Sequence, residues 1–254
     1  MQTYLDSLVN DGAAGVLLHY RSPGGTWIGT SGVAELGTDR PVDPDGWFRA
    51  GSITKTFTAV VVLQLVGEGA LKLDDPVTEW LPDLPASISL RQLLNHTSGL
   101  YNYTDDLPEP EGIVRDRYVH RDPRDSLRVG LEKPRLFEPG ASWSYSNTNY
   151  IALGLLIEAL TGNAYGDEVA RRILRPLRLE RTVVTTDESY GYGLGIERRR
   201  LPDGQVLWGH TGGIFGYLTL SHHSQDLSRQ VTLSYTGTSA EAPETGQVLT
   251  GLLA

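Results

Sequence analysis

Strand-like runs open and close this chain, and helical patterns fill its middle. Residues 1–11 read as a short helix with Tyr4, Leu5 and Leu8 on one side. Gly15–Tyr20 is a strand-like run, Ser22-Pro23-Gly24-Gly25 a turn, and Thr26–Leu36 the returning strand, so a hairpin is predicted. From Thr56 to Val66 nearly every position is apolar, which predicts a helix buried all round. Ser52 suits its N-cap or first turn, and Gly67 and Gly69 suit its end. Ser89 starts a second short helix over Leu90–Asn95. Residues 101–140 are polar and carry Pro108, Pro110, Pro123, Pro134 and Pro139, so loops with one or two short helices are expected. Helices follow over Asn149–Leu160, closed by Thr161-Gly162, and over Glu168–Leu174, stopped by Pro176.

The last third reads as strands again: Tyr192–Arg198, Val206–His210, Tyr217–Ser221 and Gln230–Tyr235. Gly204, the Gly212-Gly213 pair and Asp226 read as turns between them, and Thr245–Leu253 as a closing helix. The order strands, helices, strands predicts an α+β fold. Its antiparallel sheet comes from both chain ends, is flanked by helices, and takes an inserted helical region. The predicted division is a sheet-containing part, 1–58 with 188–254, and a mainly helical part, 59–187, within one unit of 1–254.

Composition narrows the function. The net charge of -9 would be repelled by a phosphate backbone, which speaks against nucleic-acid binding. There is no cysteine, so disulfides, thiolate metal sites and a cysteine nucleophile are excluded. No apolar run reaches the roughly 18 residues of a membrane span. The first fifteen residues have neither a basic head nor a long apolar stretch, so no signal peptide is expected there. Lysine occurs only as Lys55, Lys72 and Lys133, the other basic residues being arginines. Unlike arginine, a lysine can release its proton when its surroundings lower its pKa.

Three short segments can carry chemistry. In Ser52-Ile53-Thr54-Lys55 the hydroxyl and amine fall on one helix face. A serine needs such a base to become a nucleophile, and a desolvated lysine can be one. The same four residues also read as a helix cap with a surface lysine. Burying that charge at the head of an apolar helix, however, would be costly without a task or partner. In Tyr145-Ser146-Asn147 a phenol can share a lysine's proton and an amide can orient a carbonyl. Equally, Ser and Asn are common helix-initiating residues. In His210-Thr211-Gly212-Gly213 small residues would let a substrate backbone pair with the strand and would aim N–H groups at an oxyanion. A turn with a satisfied histidine is the plainer reading of that segment.

Order and spelling together resemble a known set. Ser-x-x-Lys, Tyr-Ser-Asn and His-Thr-Gly stand where class A β-lactamases and penicillin-binding proteins carry Ser-x-x-Lys, Ser-Asp-Asn and Lys-Thr-Gly. The chain resembles the low-molecular-mass serine D-alanyl-D-alanine carboxypeptidases, which group with class C β-lactamases and certain esterases. Phe48–Lys55, Leu93-Leu94-Asn95-His96-Thr97-Ser98-Gly99-Leu100, Pro139-Gly140 and Tyr192-Gly193-Leu194-Gly195 are similar to further stretches of that family. The likeness runs from about residue 12 over nearly the whole chain.

That resemblance implies a β-lactamase/DD-peptidase-like fold and a single catalytic unit without metal or cofactor. Ser52 would form the acyl-enzyme, with Lys55 and Tyr145 moving protons. Asn147 would position the substrate, with His210, Thr211 and Gly213 lining it. The N–H groups of Ser52 and Gly213 would form the oxyanion hole. His96 would hold a loop by hydrogen bonds, and His222 and His223 would be ordinary surface or core residues. The substrate would be a D-amino-acid peptide, a β-lactam or an ester. Relatives acting on cell-wall peptides work outside the cytoplasmic membrane, which implies an extracytoplasmic or secreted location. A penicillin-binding-like module without turnover is the reading from another class.

Three departures qualify the match. Only Val183–Tyr190 bridge a gap that relatives fill with several dozen residues, so the helical region is shortened. Either the chain is compact or it is a piece of a longer one, and one wall of the substrate pocket is expected to be open. Glu197 stands where the carboxypeptidases often have arginine, and Gly213 where a hydroxyl residue often stands. Both remove contacts for a substrate carboxylate.

Overall fold

The computed structural model describes residues 1–107, 119, 121–184, 197–201, 204–214, 216–237 and 248–250. The chain forms two compact units. The first joins residues 1–53 to 196–254; the second spans residues 54–195. The β-lactamase/DD-peptidase-like α+β fold is present, with an antiparallel sheet built from both chain ends.

In the first unit, β1 (Ala13–Ser22) and β2 (Gly25–Gly32) are the predicted hairpin. β3 (Glu197–Arg200), β4 (Val206–Ile214), β5 (Tyr217–Ser224) and β6 (Gln230–Gly237) follow. The order is β2-β1-β6-β5-β4-β3, and every pairing is antiparallel. Joining β1 to β6 is what closes the N-terminal hairpin onto the C-terminal strands, with Tyr20 opposite Val231 and Leu18 opposite Leu233. Side chains alternate between faces along a strand. Val231, Leu233 and Tyr235 of β6 therefore share one face with Leu220 of β5 and Val16 and Leu18 of β1. Leu5 and Leu8 of α1 (Gln2–Asn10), three residues apart on one helix face, seal that core with Val248 and Leu249. The other face is polar: Ser221 and Thr232 share a hydrogen bond of 3.1 Å, and the Thr219 hydroxyl donates to the Arg49 carbonyl at 2.9 Å.

The second unit is helical: α2 (Thr54–Gly67), α3 (Leu90–Leu94), α4 (Pro123–Glu132), α5 (Thr148–Thr161) and α6 (Tyr165–Val169). Capping follows the sequence. Ser89 and Gln92 make a reciprocal capping box, Asp122 caps α4 ahead of Pro123, and Gly162 ends α5 in the left-handed region at φ 71°. α5 is central: Ala152, Leu153, Leu156 and Ile157 are fully buried and meet α2, α3, α4 and α6.

Several expectations are corrected. α2 is not buried on every side: Val61 and Val62 are buried but Val60 and Leu63 are exposed, a distinction that a uniformly apolar sequence hides. The returning strand ends at Gly32, whose positive φ of 78° breaks the extended path, rather than at Leu36. The helix expected at Glu168 begins at Tyr165 and widens into a π-turn over Ala170–Leu174. Gly212 and Gly213 lie inside β4, not in a turn. Of the strand placed at Tyr192–Arg198, only Glu197 and Arg198 are described, and of the closing helix only the helical 248–250. The expected pocket opening at Val183–Tyr190 lies largely outside the described residues. Among the described residues no helix is long and apolar enough to cross a membrane.

Glu168 anchors the helical unit. Fully buried, it accepts from Arg171 at 2.8 Å, Arg172 at 2.6 Å and Asn163 at 2.9 Å, and Arg172 continues to Glu68. The hydrogen bonds from Arg171, opposed by burial and reinforced by Arg172 and Asn163, hold its carboxyl down at about 2. A depressed carboxylate pKa stabilises above the unfolded value and loses that stabilisation as pH falls through the folded one. Glu168→Gln should cost about 3 kcal/mol at pH 7 by urea denaturation, because it replaces the buried anion that pairs with Arg171 and Arg172 and leaves Arg172 only Glu68. Between pH 4.5 and about 2 the gap between wild type and variant should close.

Candidate active site

The serine segment is built by glycines. A 3₁₀ turn over Gly51–Ile53 runs directly into α2, so Ser52 and Lys55 stand one turn apart on a continuous helical stretch. Gly51 has φ 52°, a conformation that suits glycine. In the first unit β4 passes against this turn. A Cβ on Gly212 would lie 2.1 Å from the Ala50 carbonyl oxygen and 3.0 Å from the Ser52 nitrogen. A Cβ on Gly51 would lie 3.1 Å from the Gly212 backbone and 3.2 Å from the Gly213 nitrogen. The glycines that read as a turn are thus marks of close backbone approach within a strand. Thr219 pins the same segment through Arg49. Gly213 is exposed, with open space where a side chain would stand.

His210 is buried, and its Nδ1 meets the Thr211 carbonyl. Thr211 donates both its hydroxyl, at 2.9 Å, and its N–H, at 3.4 Å, to Oε1 of Glu197. Arg199 holds the other carboxylate oxygen at 3.0 Å. Burial opposes the charge on Glu197, but Arg199, Thr211 and nearby His210 outweigh it and keep the carboxyl below its ordinary range. In the sheet register Glu197 lies opposite Gly209, which lies opposite His222. His222 is buried and pushed down to about 4 by that burial, with Glu197 pulling the other way. Neither of its ring nitrogens has a hydrogen-bond partner among the described residues. Those residues hold no cluster of three or more His, Asp or Glu able to take a metal ion.

In the second unit Lys55 is fully buried. Its Nζ stands 5.0 Å from the centre of the Tyr145 ring and 5.6 Å from that of Tyr150. Burial pushes its pKa well below the ordinary lysine value. Tyr150 was not singled out from the sequence, where it reads as one more position of an apolar helix. Burial and the neighbouring Tyr145 raise its pKa, so it keeps its proton, which it donates to the Leu94 carbonyl.

The Tyr-Ser-Asn segment is held by the loop after α3. The His96 ring packs 4.5 Å from that of Tyr145, and its Nδ1 receives the Ser146 N–H at 3.3 Å and meets the Asn149 amide at 3.2 Å. Ser98 donates to Asn149 at 2.6 Å, and Ser146 and Thr148 both donate to the Tyr101 carbonyl. Gly99 is required in this loop, since a Cβ would lie 2.1 Å from the Phe137 carbonyl. The Asn147 N–H donates to Asn102 at 2.9 Å and its amide to Thr104 at 3.0 Å. The Asn147 Oδ1 is buried with no partner among the described residues, an acceptor open to a ligand. Asn102 and Thr104 carry no sequence signal that could have announced this support.

Ser-x-x-Lys at the head of a helix, with its amine buried, is the arrangement that active-site serine acyl-transfer proteins carry. The Beta-lactamase family profile matches residues 2–190. The chain belongs to the Beta-lactamase family, serine hydrolases of the β-lactamase and penicillin-binding type. It is 36% identical over 155 residues to penicillin-binding protein 4* of Bacillus subtilis (strain 168), covering 60% of this chain and 34% of that one. It is 35% identical over 162 residues to esterase EstB of Burkholderia gladioli, covering 58% and 40%. The chain thus spans well under half the length of these curated relatives. A solved D-stereospecific amidohydrolase from Streptomyces sp. superposes with a TM-score of 0.79 at 30% identity, over 92% of this chain and 93% of that one.

Two outcomes follow. Lys55→Met should raise Tm by about 2–4 °C at pH 7, equivalent to about 1 kcal/mol in a chain of this size, while abolishing acylation. Below its ordinary value of 10.5 the unfolded lysine is charged whereas the buried one resists charging. Wild-type stability therefore rises with pH towards 10.5, and the advantage of the variant should shrink there. Gly212→Ala should lower acylation by at least about a hundredfold, read as the rate of serine labelling, because its methyl group would displace Ala50 and Ser52.

Proposed function

We propose that the protein is a D-Ala-D-Ala carboxypeptidase-like, penicillin-binding serine peptidase or amidase working through an acyl-enzyme on Ser52. The observation that carries this reading is the fully buried Lys55, set between two phenol rings and unfavourable to charge. As a neutral amine it takes the Ser52 hydroxyl proton while Oγ bonds to the substrate carbonyl carbon. The N–H groups of Ser52 and Gly213 hold the resulting oxyanion. The C–N or C–O bond then breaks, and the proton passes through Lys55 and Tyr145 to the leaving group. Water reverses the sequence and frees the acid. Asn147, with its open Oδ1, orients the acyl chain, and His210 and Thr211 border it. These roles draw on both units, so the reading treats residues 1–254 as one catalytic unit. An extracytoplasmic location goes with it, resting on the resemblance.

An esterase is the second reading, favoured by the engagement of the Thr211 hydroxyl with Glu197 and by the likeness to an esterase. A module that acylates without turnover would give a stoichiometric burst and no steady state. The test is incubation with a labelled β-lactam, read by mass spectrometry, beside hydrolysis of a D-Ala-D-Ala peptide and a nitrophenyl ester. Ser52→Ala should lose label and reduce hydrolysis by at least about a thousandfold. Equal rates in the two proteins would remove Ser52 from the mechanism. Because the neutral amine is the base, kcat/KM should climb as pH rises through the lowered pKa of Lys55. Lys55→Arg should be inactive at every pH, since arginine keeps its proton.

A further inference from the structure

A hydroxyl has one proton to donate and two lone pairs to accept with. At Thr211 that proton is directed to Oε1 of Glu197, 2.9 Å away, and the Thr211 N–H points to the same oxygen. What Thr211 Oγ1 can still offer is an acceptor. Oε2 of Glu197 is taken by Arg199 at 3.0 Å, so the guanidinium nearest this carboxylate is also engaged. Two residues along the strand, on the same face of β4, Gly213 is exposed and supplies no side-chain donor. Among the described residues the charged or titratable neighbours of Glu197 are Arg199, His210 and His222, and burial keeps His222 neutral at working pH. The backbone of β4 at Gly212 passes against that of Ala50 and Ser52, so on the acyl-transfer reading this end of the strand borders the bound substrate.

We propose that Glu197 is a specificity-determining residue. By capturing the Thr211 proton it makes this position one that accepts hydrogen bonds, so that amides and other uncharged or donor-bearing ends are preferred over free carboxylates. A substrate carboxylate there meets a lone pair and a second anion, whereas a carboxamide NH₂ meets an acceptor. The leaving group is then the amine of a carboxamide-terminated residue or the alcohol of an ester. This proposal rests on the acyl-transfer reading above, and within it selects amide and ester substrates over the free-acid peptides of a carboxypeptidase.

The test uses the full chain and two competitors of nitrophenyl ester hydrolysis that differ in one group: N-acetyl-D-alanyl-D-alanine and its C-terminal amide. In wild type the amide should compete with an inhibition constant about tenfold lower, since a site built for one hydrogen-bond polarity rejects the other strongly. Glu197→Gln should bring the two within about threefold, and Glu197→Arg should invert the order. Thr211→Val, which removes the Oγ1 acceptor but leaves the Glu197 anion, should narrow the amide's advantage without inverting it. Each variant is checked for a cooperative thermal melt. Should one fail to fold, the wild-type ratio and Thr211→Val still decide. Equal or better competition by the acid in wild type, or a ratio unmoved in folded Glu197 variants, overturns the proposal alone. Ester hydrolysis unaffected by Ser52→Ala overturns the acyl-transfer reading and this proposal with it.

Discussion

A lysine amine withdrawn from water is the condition on which the chemistry rests. Lys55 heads a helix with no polar face and lies against the rings of Tyr145 and Tyr150. Such a group is expensive to charge, and that expense is what lowers its pKa well below the ordinary lysine value. The surroundings must therefore keep water out, and aromatic rings meet that demand. They pack closely and stabilise a transient ammonium with their faces, yet they carry no formal charge. On the proposed function, the protein gives up stability at this position for reactivity, as buried catalytic groups commonly do.

The rest of the helical unit keeps those rings in place. Tyr145 lies in a segment without regular structure, so its position is set by neighbours. His96 stacks on it and binds the following backbone N–H, while Ser98, Asn149, Thr148 and Tyr101 close a network behind. Satisfied polar networks of this kind are rigid because breaking one bond leaves a buried group unpaired. Precision at the reacting atoms comes from such supports more than from the reacting residues themselves.

In the sheet unit the matching constraint is space. Gly51 and Gly212 let two backbones approach to distances that a methyl group would forbid. Charge then differentiates the edge of the sheet. Glu197 accepts from both Arg199 and Thr211, which gives the Thr211 hydroxyl a direction, so on the inference drawn above substrate preference depends on polarity as well as on shape.

Much of this was legible in the chain itself. The hairpin, the start of α3 at Ser89 and the Gly162 helix stop depend on local backbone preferences, and local preferences are written in a few adjacent residues. Ser-x-x-Lys was legible because helical periodicity alone puts its two groups on one face. Other features needed the folded chain. The side of α2 that is buried depends on what packs against it, since its residues are all apolar. Gly212 read as a turn because glycine signals freedom of φ and close approach alike, and only the passing Ala50 and Ser52 backbone distinguishes them. Tyr150, Asn102 and Thr104 act through residues roughly fifty positions away, and no local pattern records such a contact. Residue types and short spacings thus determined the kind of chemistry available to this protein. Tertiary packing decided which amine is kept out of water and which hydroxyl gives its proton to Glu197, because desolvation and hydrogen-bond direction exist only once distant segments meet.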